Sequence, residues 1–170
     1  MINATLSGEK IHSNSEEAFS LYEKSCFGEK KENKIVYSLI ESLFLVSAEK
    51  ITVHFNSKPL NFEKLLSKTK KIDKKIETKF LVYSDLRKKG YIPKAALKYG
   101  ADLRVYDKGI RPGQDHAKWI LFAVNETHNI NWQEFAAKNR IAHSTKKNLL
   151  IALIDQERDI TYYQVSWFRP

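Results

Sequence analysis

The chain has 170 residues, which suffices for one ordinary domain or for two small ones. Hydrophobic residues make up 42% of it, a fraction that permits a core and excludes wholesale disorder. The formal net charge of +9 favours a polyanionic partner, although the lysines are spread along the chain and charge alone is a weak indication. The single cysteine, Cys26, excludes an intramolecular disulfide and a multi-cysteine zinc site.

Nothing in the sequence indicates a membrane or secreted protein. The first residues, 1–5, lack the basic-then-apolar order of a signal peptide. No apolar run approaches the ~20 residues of a membrane span, and the longest, at 149–154, has the length of a buried strand. A soluble intracellular protein without a membrane partner is therefore expected.

The first half of the chain is predicted to form a small mixed unit. Ser13 or Ser15 can cap a first helix, whose acidic first turn suits the positive end of the helix dipole. Gly28 is expected to end that helix. The elements predicted after it are a solvated connector at 29–34, a helix at 36–47, a strand at 51–55, a turn at 56–59 and a basic helix at 60–71.

The second half is predicted to begin with an amphipathic helix at 73–89 that Gly90 terminates. The elements after it are an extended piece at 91–93, a strand at 103–106, a turn-rich loop at 107–115, a strand at 116–124 buried on both faces, a helix at 132–143, and strands at 149–154 and 160–168. This order predicts an α/β or α+β chain of two domains, one at 1–72 and the other at 73–170.

The residues with chemical potential lie in three segments of the second half, at 98–109, 115–119 and 140–150. Together with a closing segment at 159–167, they closely resemble the archaeal tRNA-splicing endonuclease family. The first half resembles the family more loosely, through Phe27-Gly28. The combination is specific, whereas no single short piece of it would be. The resemblance implies a small N-terminal mixed α/β domain and a C-terminal catalytic domain with a restriction-endonuclease-like α/β sheet.

The resemblance also implies a catalytic tyrosine, histidine and lysine, which match Tyr106, His116 and Lys147. Lys146 is the alternative lysine, but Lys147 directly precedes the family's Asn-Leu-Leu run and fits the pattern better. Taken singly, each residue is better explained as a packing, hydrogen-bonding or solvated side chain. Their joint order and context favour catalysis.

These residue types suit RNA cleavage without a metal or other cofactor. A tyrosinate can take the proton of the 2′-hydroxyl beside the scissile phosphate, provided that nearby positive charge lowers its pKa from ~10. Histidine titrates near neutrality and suits the general-acid role toward the leaving 5′-oxygen. Lysine can supply that positive charge, and it can also stabilise the negative transition state. The implied roles are general base for Tyr106, general acid for His116 and transition-state stabiliser for Lys147.

The implied substrate is precursor tRNA, cut at a bulge–helix–bulge at the intron–exon junctions. Arg140 matches a family arginine that pinches a flipped base, and aromatic rings also hold such bases by stacking. If the helix extended over 132–147, Arg140 and Lys147 would share a helical face with His143. Trp167 is the candidate second half of the pinch, and packing in a core or interface is an equal alternative for it.

The segment at 155–159 is an acidic loop, ordinarily an exposed turn. In the family, an acidic loop here inserts into a basic pocket of a neighbouring subunit, so Asp155, Glu157 and Asp159 are implied to lie at a subunit interface. Arg158 departs from the simplest pattern. The partners implied are precursor tRNA, further copies of the chain in a homotetramer, or a second structural subunit in a heterotetramer, in the cytoplasm of an archaeal cell.

Two rival interpretations come from other classes. A metal-dependent nuclease is suggested by Glu77-Thr78-Lys79, but this trio falls in a helical pattern. A non-catalytic structural subunit or RNA-binding module is disfavoured because all three triad residues are present. None of the five histidines forms a cluster with metal-ligand spacing, and no metal site is expected.

Overall fold

A computed structural model describes every residue from Met1 to Pro170. The chain forms two compact units, Met1–Phe80 and Leu81–Pro170. Each unit is built on one mixed β-sheet, which confirms the predicted mixed α/β class. None of the helices has the length and apolar character needed to cross a membrane. The domain boundary predicted after residue 72 coincides with the end of the third helix. The division at Phe80 falls within the next helix, which begins four residues later.

The N-terminal unit contains a six-stranded sheet in the order β3-β4-β2-β1-β5-β6, in which only β1 and β5 run parallel. Its elements are β1 Ile2–Ser7, β2 Lys10–Ser13, α1 Glu16–Ser25, β3 Glu29–Lys31, β4 Lys34–Tyr37, α2 Leu39–Ser47, β5 Ile51–Phe55, β6 Lys58–Leu60 and α3 Phe62–Ile72.

Local sequence patterns such as helix caps predict the helices of this unit better than its strands. Ser15 caps α1, as predicted, by accepting a hydrogen bond from Ala18 N. The connector predicted at 29–34 is wrong, because β3 and β4 form a hairpin there. β3 is an edge strand with every side chain exposed, so it tolerates a charged sequence. The second helix begins at Leu39 rather than at 36, since Ser38 and Glu41 form a capping box.

The hydroxyl of Tyr37 on β4 is buried without a hydrogen-bond partner. Burial and the neighbouring Glu41 charge raise the pKa of Tyr37 to about 12. Because the folded-state pKa lies above the ordinary value, stability is intact below pH ~10 and falls as the pH rises from there toward the folded pKa. The aromatic ring of Tyr37 therefore suits the core, whereas its buried hydroxyl group does not.

We expect Tyr37→Phe to raise the free energy of unfolding by about 1 kcal/mol at pH 7, because it removes an unsatisfied buried group. Its unfolding free energy should also fall less than the wild type's above pH 10. Urea unfolding at pH 7 and pH 11 measures both effects. Tyr162→Phe is the matched control and should destabilise instead, since the Tyr162 hydroxyl donates to Asp85 at 2.7 Å. Equal effects of the two substitutions would contradict this interpretation.

The C-terminal unit contains a five-stranded sheet in the order β11-β10-β9-β8-β7, in which only β9 and β10 run parallel. Its elements are β7 Ile92–Ala95, β8 Leu103–Tyr106, β9 Trp119–Asn125, α5 Trp132–Ser144, β10 Asn148–Ile154 and β11 Ile160–Val165, and they follow α4 Ile76–Lys88. The parallel pair requires a crossover, which α5 supplies. α5 covers a core cluster that includes Ile120, Phe122, Ala142 and Leu149.

Three element ends in this unit differ from prediction. β9 begins at Trp119, three residues later than predicted, so His116 lies in the preceding loop. α5 ends at Ser144, and Lys146 then adopts φ 56°, because the chain must turn back into β10. β11 ends at Val165 rather than at 168, which places Trp167 beyond the sheet. The four consecutive buried residues at 120–123 confirm that β9 is buried on both faces.

Candidate active site

The end of β8 and the starts of β9 and β10 meet at one end of the C-terminal sheet. Trp119, the first residue of β9, is paired with Val105 on β8 and with Asn148 on β10. Hydrogen bonds extend the pairing by one residue, since Lys118 N donates to Val105 O at 2.9 Å and Asn148 N donates to Lys118 O at 3.0 Å. We call this the Trp119 end of the sheet.

Tyr106, His116 and Lys147 all lie at the Trp119 end. Tyr106 is the last residue of β8, and Lys147 immediately precedes β10. His116 lies in the loop before β9, three residues from Trp119, which keeps its Cα within about 10 Å of the Trp119 Cα. The sheet topology therefore collects the three residues expected to be catalytic from segments that are distant in sequence.

Tyr106 and Lys147 also share a face of the sheet. Arg104 and Leu149 are both paired with Ile120, and directly paired residues point to the same face. Because side chains alternate along a strand, Tyr106 lies on the face of Arg104. Lys147, the residue before β10, lines the same cavity as Leu149 and so lies on this face too. This is the face that α5 covers, and two strand spacings put the backbones of Tyr106 and Lys147 ~10 Å apart.

A cation lies beside the ring of Tyr106. The Tyr106 side chain is 6% exposed, and the guanidinium carbon of Arg104 lies 6.0 Å from its ring centroid. The backbone of Tyr106 is paired with Ile92 on β7. Burial favours the neutral form of a phenol, whereas a nearby positive charge favours the ionised form, so the charge of Arg104 acts against the effect of burial.

The loop that carries His116 is closed at its base by an ion pair. Lys118 Nζ lies 2.8 Å from a carboxylate oxygen of Asp107. Hydrogen bonds from Lys118 and from the backbone N–H of Lys108 hold the pKa of the Asp107 carboxyl below its usual range. The His116 side chain is exposed, and its backbone N–H donates to the Asp115 carboxylate at 2.6 Å. A substrate can therefore reach the imidazole from solvent.

Lys147 is half-buried and lines a small cavity between the end of α5 and strands β10 and β11. Its ammonium group donates a hydrogen bond to Thr145 O at 3.0 Å. The side chains of His143, Val165 and Trp167 are among those that line the same cavity. Lys147 is thus held by the backbone at the Trp119 end, with open space beside it.

Of the two residues expected to grip RNA, Trp167 contacts His143, and Arg140 lies about one helical turn before it. Arg140 is exposed on α5, three residues before His143. The His143 and Trp167 rings meet edge to face with centroids 4.0 Å apart, and the Arg169 guanidinium carbon lies 4.9 Å from the Trp167 centroid. The idea that Lys147 shares a helical face with Arg140 and His143 is wrong, because α5 ends before Lys147.

The acidic segment at 155–159 forms a compact turn between β10 and β11. Asp155 N donates to Asp159 O at 3.1 Å, and Asp159 N donates to the Asp155 carboxylate at 2.8 Å. Arg158 adopts φ 70° within the turn. Glu157 and Asp159 are exposed, whereas Asp155 is half-buried. The turn presents two acids to solvent.

The Glu77-Thr78-Lys79 trio, which suggested a metal-dependent nuclease, lies in α4. Glu77 is ion-paired with Lys70 at 2.7 Å, and Lys79 with Asp73 at 2.8 Å. The trio therefore belongs to a helix held by structural ion pairs. The structure contains no group of three or more His, Cys, Asp or Glu side chains arranged to hold a metal ion.

Arg104 is the residue near this site that sequence reasoning missed. It lies two positions before Tyr106, and on a strand that spacing puts two side chains on one face. The signal was therefore present once the segment at 103–106 was assigned as a strand. It was obscured because arginine and lysine are so frequent in the chain.

Two family models match the chain. The model of the tRNA intron endonuclease N-terminal domain matches residues 2–66, and that of the catalytic C-terminal domain matches residues 76–162. The division between the two matches falls between residues 66 and 76.

Curated relatives match over nearly the whole chain. A tRNA-splicing endonuclease of Pyrococcus abyssi is 36% identical over 170 residues, covering 99% of this chain and 98% of the relative. One from Thermococcus onnurineus is 37% identical over 169 residues, covering 99% and 97%. One from Nanoarchaeum equitans is 38% identical over 138 residues, covering 78% and 88%. With both domains matched and this level of identity, the chain belongs to the tRNA intron endonuclease family.

Proposed function

We propose that this protein is a tRNA-splicing endonuclease that cleaves precursor tRNA at a bulge–helix–bulge without a metal, leaving 2′,3′-cyclic phosphate and 5′-hydroxyl ends. The observation that carries the proposal is the convergence of Tyr106, His116 and Lys147 at the Trp119 end, in a chain of the tRNA intron endonuclease family. A structural subunit would not need this set. Retention of all three residues favours a catalytic subunit.

The reaction begins at the 2′-hydroxyl beside the scissile phosphate. Tyr106, as the phenolate, takes the hydroxyl proton while the 2′-oxygen forms a bond to phosphorus. The bond from phosphorus to the 5′-oxygen then breaks, and protonated His116 gives its proton to that oxygen. The enzyme thus gains one proton at Tyr106 and loses one at His116, and exchange with solvent restores both. An exposed imidazole suits this last exchange.

Lys147 would stabilise the charge that gathers on the non-bridging oxygens. A fixed cation aimed at a developing charge acts more strongly in the transition state than on the substrate. Its position supports that role, because it lines the cavity at the end of α5 and lies at the same end of the sheet as the base. The loop of His116 would reach the leaving group from the end of the sheet.

We also propose that Arg140 and Trp167 hold a bulged base. Arg140 is exposed, and Trp167 is 52% exposed beside the cavity that Lys147 lines. A guanidinium plane and an indole ring both stack on nucleobases. The contact of Trp167 with His143, about one helical turn after Arg140, supports a common binding surface beside Lys147.

For assembly, we propose that Asp155, Glu157 and Asp159 lie at a contact with another subunit. The turn that carries them presents acidic side chains beyond the end of the sheet. A basic pocket on a second copy, or on a structural subunit, would complement it. A chain that is active alone would assemble as a homo-oligomer.

The chain alone is expected to cut a bulge–helix–bulge RNA in excess EDTA at the rate seen without chelator. Its 5′ ends should be labelled directly by a kinase, and its 3′ ends should resist phosphatase until acid opens the cyclic phosphate. A substrate with 2′-deoxyribose at the cleavage site should remain uncut, because the nucleophile is missing. Cleavage of that substrate, or loss of activity in EDTA, would contradict the mechanism. No cleavage by the chain alone or with a structural subunit would favour a non-catalytic role.

A further inference from the structure

Arg104 has contacts that its position on β8 alone does not explain. Its backbone pairs with Lys94 on β7 and with Ile120 on β9, so it lies in the interior of the sheet. Its guanidinium carbon lies 6.0 Å from the centroid of the Tyr106 ring, and the guanidinium group is also close enough to the Tyr99 hydroxyl to interact with it. Arg104 thus connects the proposed base to a second tyrosine.

Tyr99 is held in place by packing, so it can fix the position of this guanidinium group. Its ring packs against the core cluster under α5, together with Phe135 and Ile141. Partial burial would raise the pKa of Tyr99, but the charges of Lys98 and Arg104 and their hydrogen bonds outweigh burial and lower it from its ordinary value. The same guanidinium group that favours an ionised phenol at Tyr99 also lies 6.0 Å from the Tyr106 ring.

Other charged residues lie on the strands and loops next to Tyr106. They are Lys94 on β7, Asp107 and Lys108 in the loop after β8, His116 and Lys118 before β9, and Lys147 before β10. Asp107 and Lys118 pair with each other at 2.8 Å. Lys108 Nζ lies over Tyr91, 5.1 Å from its centroid. The guanidinium carbon of Arg104 lies 6.0 Å from the centroid of the Tyr106 ring.

We propose that Arg104 is a positioning residue for cleavage: anchored by Tyr99, it holds the ring of Tyr106 in place and supplies a permanent positive charge beside it. This inference rests on the proposed role of Tyr106 as general base. A guanidinium group remains charged at every pH at which the enzyme works, so its support does not titrate. Lys147 can then stabilise the charge on the phosphate, because Arg104 supplies the positive charge beside the base.

The test compares Arg104→Met with Lys98→Met in single-turnover cleavage from pH 5 to pH 9. Arg104→Met should slow cleavage at neutral pH by about tenfold or more, and move the pH of half-maximal rate up by about one unit. RNA affinity in a filter-binding assay should change less than about twofold. Lys98→Met removes an equal charge whose Nζ lies 5.1 Å from the Tyr99 ring, and it should leave rate and profile unchanged.

Two further variants keep the inference testable if Arg104→Met does not fold. Arg104→Lys retains the charge and should recover part of the rate. Tyr99→Phe keeps the ring but loses the hydroxyl that anchors Arg104, and it should shift the profile in the same direction by a smaller amount. Unchanged profiles in all the folded variants, with Tyr106→Phe inactive, would overturn the role of Arg104 alone. Full activity of Tyr106→Phe would overturn the proposed base itself.

Discussion

His116→Ala is expected to lower the single-turnover rate of cleavage of a bulge–helix–bulge RNA by ~10²–10⁴-fold, the usual contribution of a positioned general acid. An alkoxide is a poor leaving group, and the proposed site offers His116 to protonate it. RNA affinity should change little, because the imidazole is exposed at the loop and gains its partner only as the bond breaks. Rates and dissociation constants measured on the same RNA separate the two effects.

A modified substrate makes this prediction specific to proton donation. If sulfur replaces the 5′-bridging oxygen, the leaving group is a thiolate, and a thiol has a pKa of only ~8.5. Such a group departs without help, so most of the His116→Ala defect should disappear. His128→Ala is the matched control, since His128 lies beyond the far end of β9, near Glu134. A defect that persists with the sulfur substrate would show that His116 does not act as the acid.

Elements with a strong local signal were predictable from the sequence. β8 was predicted at its observed bounds, and β5 likewise, because alternating β-branched residues fit a half-buried strand. The strands of the first thirteen residues were missed. They are short, and β1 is stabilised by pairing with β5, which lies about 50 positions further along the chain. Long-range pairing leaves little trace in a local pattern.

The members of the site could be named from sequence, but their arrangement could not. The resemblance singled out Tyr106 and His116, whereas the pairing of β8 and β10 on either side of β9 is what brings Tyr106 and Lys147 to one face. The helical face expected for Arg140, His143 and Lys147 does not form, because the helix must end before the chain can enter a parallel strand. Periodicity does not reveal such an end when no glycine or proline marks it.

Lys147→Met is expected to slow cleavage by ~10²–10³-fold, as does removal of a preorganised charge-stabilising group from other active sites. Lys147 lies at the Trp119 end, where its backbone N–H donates to Ala142 O at 2.9 Å and the next residue pairs with Trp119. The loss should appear in the rate of the chemical step more than in RNA affinity, because the charge it stabilises is greatest in the transition state. Sulfur at the leaving group should not rescue this variant, in contrast to His116→Ala.

Lys146→Met provides a control that differs by one position. Lys146 adopts φ 56° in the turn after α5, and its side chain is exposed. Its side chain is not among those that line the cavity beside Lys147. Its removal should change the rate by less than about threefold, mainly through weaker attraction of RNA at low salt. If instead Lys146→Met is inactive and Lys147→Met is not, the catalytic lysine is Lys146, and the strand register does not determine which lysine acts.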